Sequence, residues 1–146
     1  IRHHVFPKIS ERLQFEIDEA MGGSRAPITA RMHFLGWHIP KEKIVEVLPK
    51  LTLAVLAEKH RIPPRLMRQY RNLEVGSHAR MGILEHLVKE RGIFIYEKDL
   101  HTLSHSLAAF DAFIAAYTAL LADSGQCAKA PKNFPRGAGW IEYPEL

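Results

Sequence analysis

The sequence predicts an α/β fold, helix-rich, in which helices are layered on a thin sheet. Three observations carry this expectation. Lys43 to Leu48 (KIVEVL) reads as a strand, Ile93 to Tyr96 (IFIY) reads as another, and stretches with three-and-four apolar spacing separate and follow them. Strands separated by helices are the pattern of layered α/β domains. A length of 146 residues suits one domain, taken as residues 1–146.

The elements follow in order. Ser10 is placed to cap a first helix through Met21, where Leu13, Ile17 and Ala20 recur at helical spacing and Gly22-Gly23 stop the chain. Pro27 suits the first turn of a second helix, Ile28 to Trp37, which ends before Pro40. In the Lys43–Leu48 strand, Ile44 and Leu48 are apolar on one face and Val45 and Val47 on the other, as in a central strand buried on both faces. Pro49 ends it and opens a helix, Leu51 to His60. Pro63-Pro64 breaks the chain before a short basic helix to Asn72. A further helix runs from Ser77 to Glu90 with Met81, Leu84, Leu87 and Val88 as its buried stripe, and Gly92 closes it. The longest helix starts at Ser104 or Ser106 and runs through Ala122. Trp140 to Tyr143 is a short edge strand. So few strands for so many helices predict sheet partners upstream of Ile1.

Composition narrows the class. Hydrophobic residues make up 47% and charged residues 25%, which supports a folded core rather than disorder. The net charge of +4 suits a polyanionic partner such as nucleic acid. Cys127 is the single cysteine, so no internal disulfide forms and a reducing, cytoplasmic setting is expected. No apolar run reaches the roughly 18–20 residues that span a bilayer, so no membrane partner is expected.

Two carboxylates stand where apolar residues prevail. Asp111 is the only charge between Ser106 and Ala122, in a helix whose Leu107, Phe110, Ile114, Tyr117 and Leu121 mark a buried face. A carboxylate in such a surface costs several kcal/mol unless a cation or strong donors compensate it. Glu46 is the sole polar residue between Ile44 and Leu48, in a strand, where Glu is depleted. Converging, the two would hold Mg²⁺ or Mn²⁺, which take a few carboxylates and leave places for water and phosphate oxygens. The alternatives are an edge position facing water for Glu46 and, for Asp111, pairing with an arginine or a backbone amide, or a place on the one wet edge of the helix.

The run from Ile44 to Leu121 resembles the uncharacterised family of predicted RNase H-like nucleases known as domain of unknown function 429. Val45-Glu46-Val47-Leu48-Pro49, Ala79-Arg80-Met81-Gly82-Ile83-Leu84 and Phe110-Asp111-Ala112-Phe113-Ile114-Ala115-Ala116-Tyr117-Thr118-Ala119 carry the likeness, with Gly139-Trp140-Ile141 at its tail. The resemblance implies a partial RNase H-like layered fold, of which this chain is the carboxyl-terminal portion. It also implies a metal-dependent phosphodiester hydrolase in which Glu46 and Asp111 are catalytic, metal-ligating carboxylates. The family's amino-terminal Asp strand does not precede Ile1, and His105, Ser106 and Phe110 stand where acidic neighbours of the helix Asp are usual. An upstream Asp would complete the site; without it the implied protein is inactive.

Arg61, Arg65, Arg68 and Arg71 are spaced by four, three and three, so on one helix they would line a face and grip successive phosphates. The bland reading is a solvated charged face. His101 and His105 are four apart and would ligate zinc only if helical, and no HExxH pattern accompanies them. No nucleophile-elbow, GxGxxG or Walker motif is present. Three classes therefore stand: a metal-dependent nuclease, a non-catalytic nucleic-acid or protein-binding module, and a structural protein whose Asp111 pairs with Arg80 or another base.

Overall fold

The chain passes through a 3₁₀ turn, Lys41–Lys43, into a two-residue strand, β1 (Glu46–Val47). A computed structural model describes Lys8, Ser10, residues 38–135 and residues 139–146. The predicted helices ending at Met21 and Trp37 lie outside these residues, as does Arg136.

Pro49 opens α1 (Pro49–His60), where a missing N–H costs nothing because first-turn amides have no intrahelical acceptor. Residues 50 to 57 are all buried, so the first two turns of this helix are enclosed on every side. Arg61 ends it in the left-handed region (φ 52°), donating its N–H to the Ala57 carbonyl. After Pro63 comes α2 (Pro64–Gln69), six residues long. The Asn72 side chain then accepts from the amides of Glu74 (2.8 Å) and Val75 (3.0 Å), turning the chain into α3 (Gly76–Arg91). Gly92, at φ 63°, closes α3 as expected.

The sequence misleads at the next step. Ile93 to Tyr96 shows the alternation of a strand, with Ile93 and Ile95 half-buried and Phe94 and Tyr96 exposed, but it joins no ladder among the described residues. Alternation sets the faces; a neighbouring backbone must supply the hydrogen bonds. An unpredicted helix, α4 (Glu97–His105), follows and turns by 114° into α5 (Leu107–Asp123). Ser106 caps α5, its hydroxyl accepting from the Ala109 amide at 3.2 Å.

The last strand, β2 (Ile141–Glu142), pairs in parallel with β1, Glu46 opposite Ile141 and Val47 opposite Glu142. The expected central strand is therefore corrected. β1 is two residues long, Val45 and Glu46 are exposed, and its sheet has two strands among the described residues. The fold is a helix-rich α/β arrangement with a small parallel sheet.

In the core, α5 packs on α1, α4 and both strands, while α3 packs on α2 and α4. Phe110, Ile114, Tyr117 and Leu121 of α5 meet Leu51, Leu53, Val55 and Leu56 of α1 in one apolar cluster. Burying each such side chain contributes about 1.5–3 kcal/mol. Thr52 and Thr118 bring hydroxyls into this interface and satisfy each other at 2.9 Å, Thr118 also donating to the Ile114 carbonyl. The other side of α5 is open: Ala108, Ala112, Ala116 and Leu120 are exposed. No single helix among those residues is long and apolar enough to cross a membrane.

Candidate functional site

Asp111 lies one turn into α5, beside Phe110, whose ring packs on Tyr70 at 5.6 Å between centroids. Tyr70 ends α2 and is fully buried, so it fixes the turn after α2 against the start of α5. That places Arg71 over Asp111. The Arg71 Nη1 donates to Asp111 Oδ2 at 3.1 Å, with side-chain exposures of 36% and 21%. The Arg71 guanidinium also lies 5.8 Å from the Tyr70 ring centroid.

Arg80 completes the cluster from α3. It is 5% exposed; Nε donates to the Ser104 carbonyl at 2.6 Å and Nη1 to the Tyr70 carbonyl. One guanidinium thus ties the turn after α2 to the end of α4. Gly76 makes the fit possible, since a Cβ there would stand 2.7 Å from Arg80 Nη1 and 2.9 Å from the Tyr70 carbonyl oxygen.

The electrostatics agree with this arrangement. Burial holds the Arg80 guanidinium below its ordinary value, a shift that Asp111 offsets only in part. Burial also pulls on Arg71, but Tyr70 and Asp111 outweigh it, so the net shift is upward. Both remain charged at any physiological pH. The isolated Asp111 of the sequence is therefore compensated by guanidinium groups.

Glu46 has different surroundings. Its side chain is exposed, and its Oε2 lies so close over Gly139 that a Cβ there would be 2.5 Å away. The burial expected around both carboxylates is met in part at Asp111 and fails at Glu46, since β1 pairs with β2 alone among the described residues. Among the described residues, no three or more His, Cys, Asp or Glu side chains gather as a metal site would require. A divalent cation at Asp111 would also meet two guanidinium charges. The described residues alone do not make up a Mg²⁺ or Mn²⁺ site.

The arginine stripe is divided. Arg65 and Arg68 are exposed on α2, Arg61 is exposed at the end of α1, and Arg71 is half-buried on Asp111. Arg65 is steadied by Gln69, its Nε donating to Oε1 at 3.2 Å. Arg61, Pro64, Met67 and Glu58 line one shallow recess.

From the sequence Arg80 stands only as one base that could pair with Asp111, not as the group that ties the turn after α2 to α4. The signal was present: Gly76, Ala79, Ile83, Leu84 and Leu87 form the buried stripe of α3, and Arg80 sits within it. A charge inside an apolar stripe is the criterion that singled out Asp111, and it selects Arg80 equally.

Comparison with known proteins completes the description. No curated protein and no solved structure matches the sequence. A family model described as "Protein of unknown function (DUF429)" matches residues 9–136. The chain belongs to the DUF429 family of proteins of unknown function.

Proposed function

We propose that this protein is a nucleic-acid-binding module of RNase H-like descent that holds phosphodiester backbones at the corner between α1 and α2. The single observation that carries the reading is the exposure of Arg61, Arg65 and Arg68 within eight residues, on a chain of net charge +4. Guanidinium forks match phosphate oxygens geometrically and are weakly hydrated, so they bind backbones without reading sequence. Asp111, Arg71 and Arg80 serve this surface indirectly, by fixing the turn that follows α2.

The test is fluorescence anisotropy of a labelled single-stranded oligonucleotide and its duplex at rising salt. Each phosphate contact contributes about 0.7 to the log–log salt slope for single strands and about 0.9 for duplex. Arg65→Gln with Arg68→Gln should lower the slope by roughly 1.4 on single strands. An unchanged slope and affinity, or no binding at low salt, overturns the reading.

A second reading, metal-dependent nuclease, is supported by the family resemblance and by the open Glu46 carboxylate one strand residue before Val47 and near Pro49. It requires Asp111 to part from Arg71 and acidic residues from beyond those described. Calorimetric titration with Mn²⁺ tests it. Binding lost in both Glu46→Gln and Asp111→Asn supports it, and absence of binding rejects it.

A further inference from the structure

Among the described residues, the phenylalanine, tyrosine and tryptophan rings are buried or half-buried except at two positions. Phe94 and Tyr96 stand exposed on the segment that joins α3 to α4. The backbone alternates there, so both rings share one face while Ile93 and Ile95 pack against the core. The two rings meet edge to face, with centroids 4.9 Å apart and planes at 80°. With Asp99, Thr102 and Leu103 of α4 and Phe113 of α5 they line an open cavity of about 370 Å³. We propose that this cavity binds a small molecule through a quaternary ammonium group.

The shape suits a rounded cation. Aromatic faces carry negative potential, and a quaternary ammonium, whose methyl groups hold water weakly, gains from lying against them. Two rings near a right angle make a corner that touches such a cation on two sides, and Phe113 adds a third ring. The corner is held in place. The Tyr96 carbonyl accepts from the amides of Asp99 and Leu100, each at 2.9 Å, which ties Tyr96 to the first turn of α4. Leu103 and Phe113 rest on the core behind it. Little conformational freedom is therefore lost on binding.

The charge points the same way. Asp99 is the one charged residue of the lining, although the chain as a whole carries +4. Among the described residues its carboxylate has no ion pair and no hydrogen bond. Asp99, Thr102 and Leu103 share one face of α4, whereas Lys98, His101 and His105 follow the spacing of another. The lining also separates a quaternary from a primary ammonium. A primary ammonium brings three N–H donors. Beyond the Tyr96 hydroxyl, the side-chain acceptors are the Asp99 carboxylate and the Thr102 hydroxyl, which itself donates to the Lys98 carbonyl at 3.1 Å. A quaternary ammonium brings no donor, so none is left stranded. The volume falls in the range of small-molecule sites, about 300–1,000 Å³.

Calorimetric titration with choline tests the site, with ethanolamine, the neutral tert-butyl isostere of choline and a trimethyl-lysine peptide as comparison probes. Wild type should bind choline at least ~10-fold more tightly than ethanolamine or the isostere. Phe94→Leu and Tyr96→Leu should each weaken choline binding by roughly 2–30-fold, the range of a cation–π contact. Asp99→Asn should weaken it too, and Lys98→Gln should leave it equal or tighter. All four side chains are exposed, so melting temperatures should stay near that of wild type. Equal affinity for choline and its isostere would mark a merely apolar recess and overturn the proposal. So would unchanged choline affinity in a Phe94→Leu, Tyr96→Leu double variant, no choline binding at all, or a peptide that binds where choline does not.

Discussion

Gly76→Ala is a one-methyl perturbation whose cost follows from the structure. By helix propensity alone the change should help, since Ala is better than Gly in a helix by up to about 1 kcal/mol. The new Cβ, however, would lie 2.7 Å from Arg80 Nη1, 2.9 Å from the Tyr70 carbonyl oxygen and 3.2 Å from that of Gln69. Two of the three are backbone atoms, and the third is a guanidinium pinned by hydrogen bonds to Tyr70 and Ser104. Relief therefore breaks the Arg80 to Tyr70 bond, and hydrogen bonds to charged groups contribute about 1.5–3 kcal/mol. Since Arg80 is 5% exposed, water cannot readily replace the lost acceptor. The net expectation is a loss of about 1–2 kcal/mol, or a Tm lower by roughly 2–8 °C for a chain of this size. Gly82→Ala is the control on the same helix. There the nearest atom is Leu66 Cδ1 at 3.0 Å, the tip of a flexible side chain, so stability should hold or rise. Urea denaturation of both variants is the assay. Gly76→Ala as stable as wild type would refute the role given to Arg80.

Two further outcomes follow from burial. The Cys127 thiol is 8% exposed, and desolvation first, then Glu142, push its pKa up to about 11. Iodoacetamide at pH 8 should leave it unmodified in the native protein and alkylate it fully in denaturant, as mass spectrometry would show. Glu142 on β2 is half-buried, and burial raises its carboxyl above the ordinary value. A carboxyl raised on folding binds more protons in the native state, so its burden is present at neutral pH and is relieved as pH falls through the folded value. Glu142→Gln should therefore stabilise the protein at pH 7 and do so less at pH 4, as paired denaturation curves would show.

Much of this was legible in the sequence because the signals were local. Pro49, Gly92 and Ser106 mark helix ends by their own backbone or side-chain chemistry, and each stands at or beside the predicted boundary. Of the predicted α5 stripe, Phe110, Ile114, Tyr117 and Leu121 are buried as the spacing required, and Leu107 is half-buried. What was missed depends on partners. Glu97 to His105 carries only Leu100 and Leu103 among charged residues, histidines and hydroxyls, and it becomes a helix by packing against α3 and α5. Ile93 to Tyr96 has a strand's alternation with no partner among the described residues. At the candidate site, the anomaly of Asp111 was readable from composition, since a lone charge in an apolar helix demands compensation. The compensating group was not: whether a cation or an arginine meets that carboxylate depends on where the turn after α2 falls, and buried Tyr70 decides it.

The most direct test of the account is a double-mutant cycle on Arg71 and Asp111, measured by urea denaturation of the metal-free protein. Removing one member of a half-buried pair leaves the other charge poorly compensated, so Asp111→Ala and Arg71→Met should each destabilise. The double variant should cost less than their sum, by about 0.5–2 kcal/mol. Additive losses, or an Asp111→Ala protein that melts above wild type without metal, would show that Arg71 does not hold this carboxylate and would contradict the account.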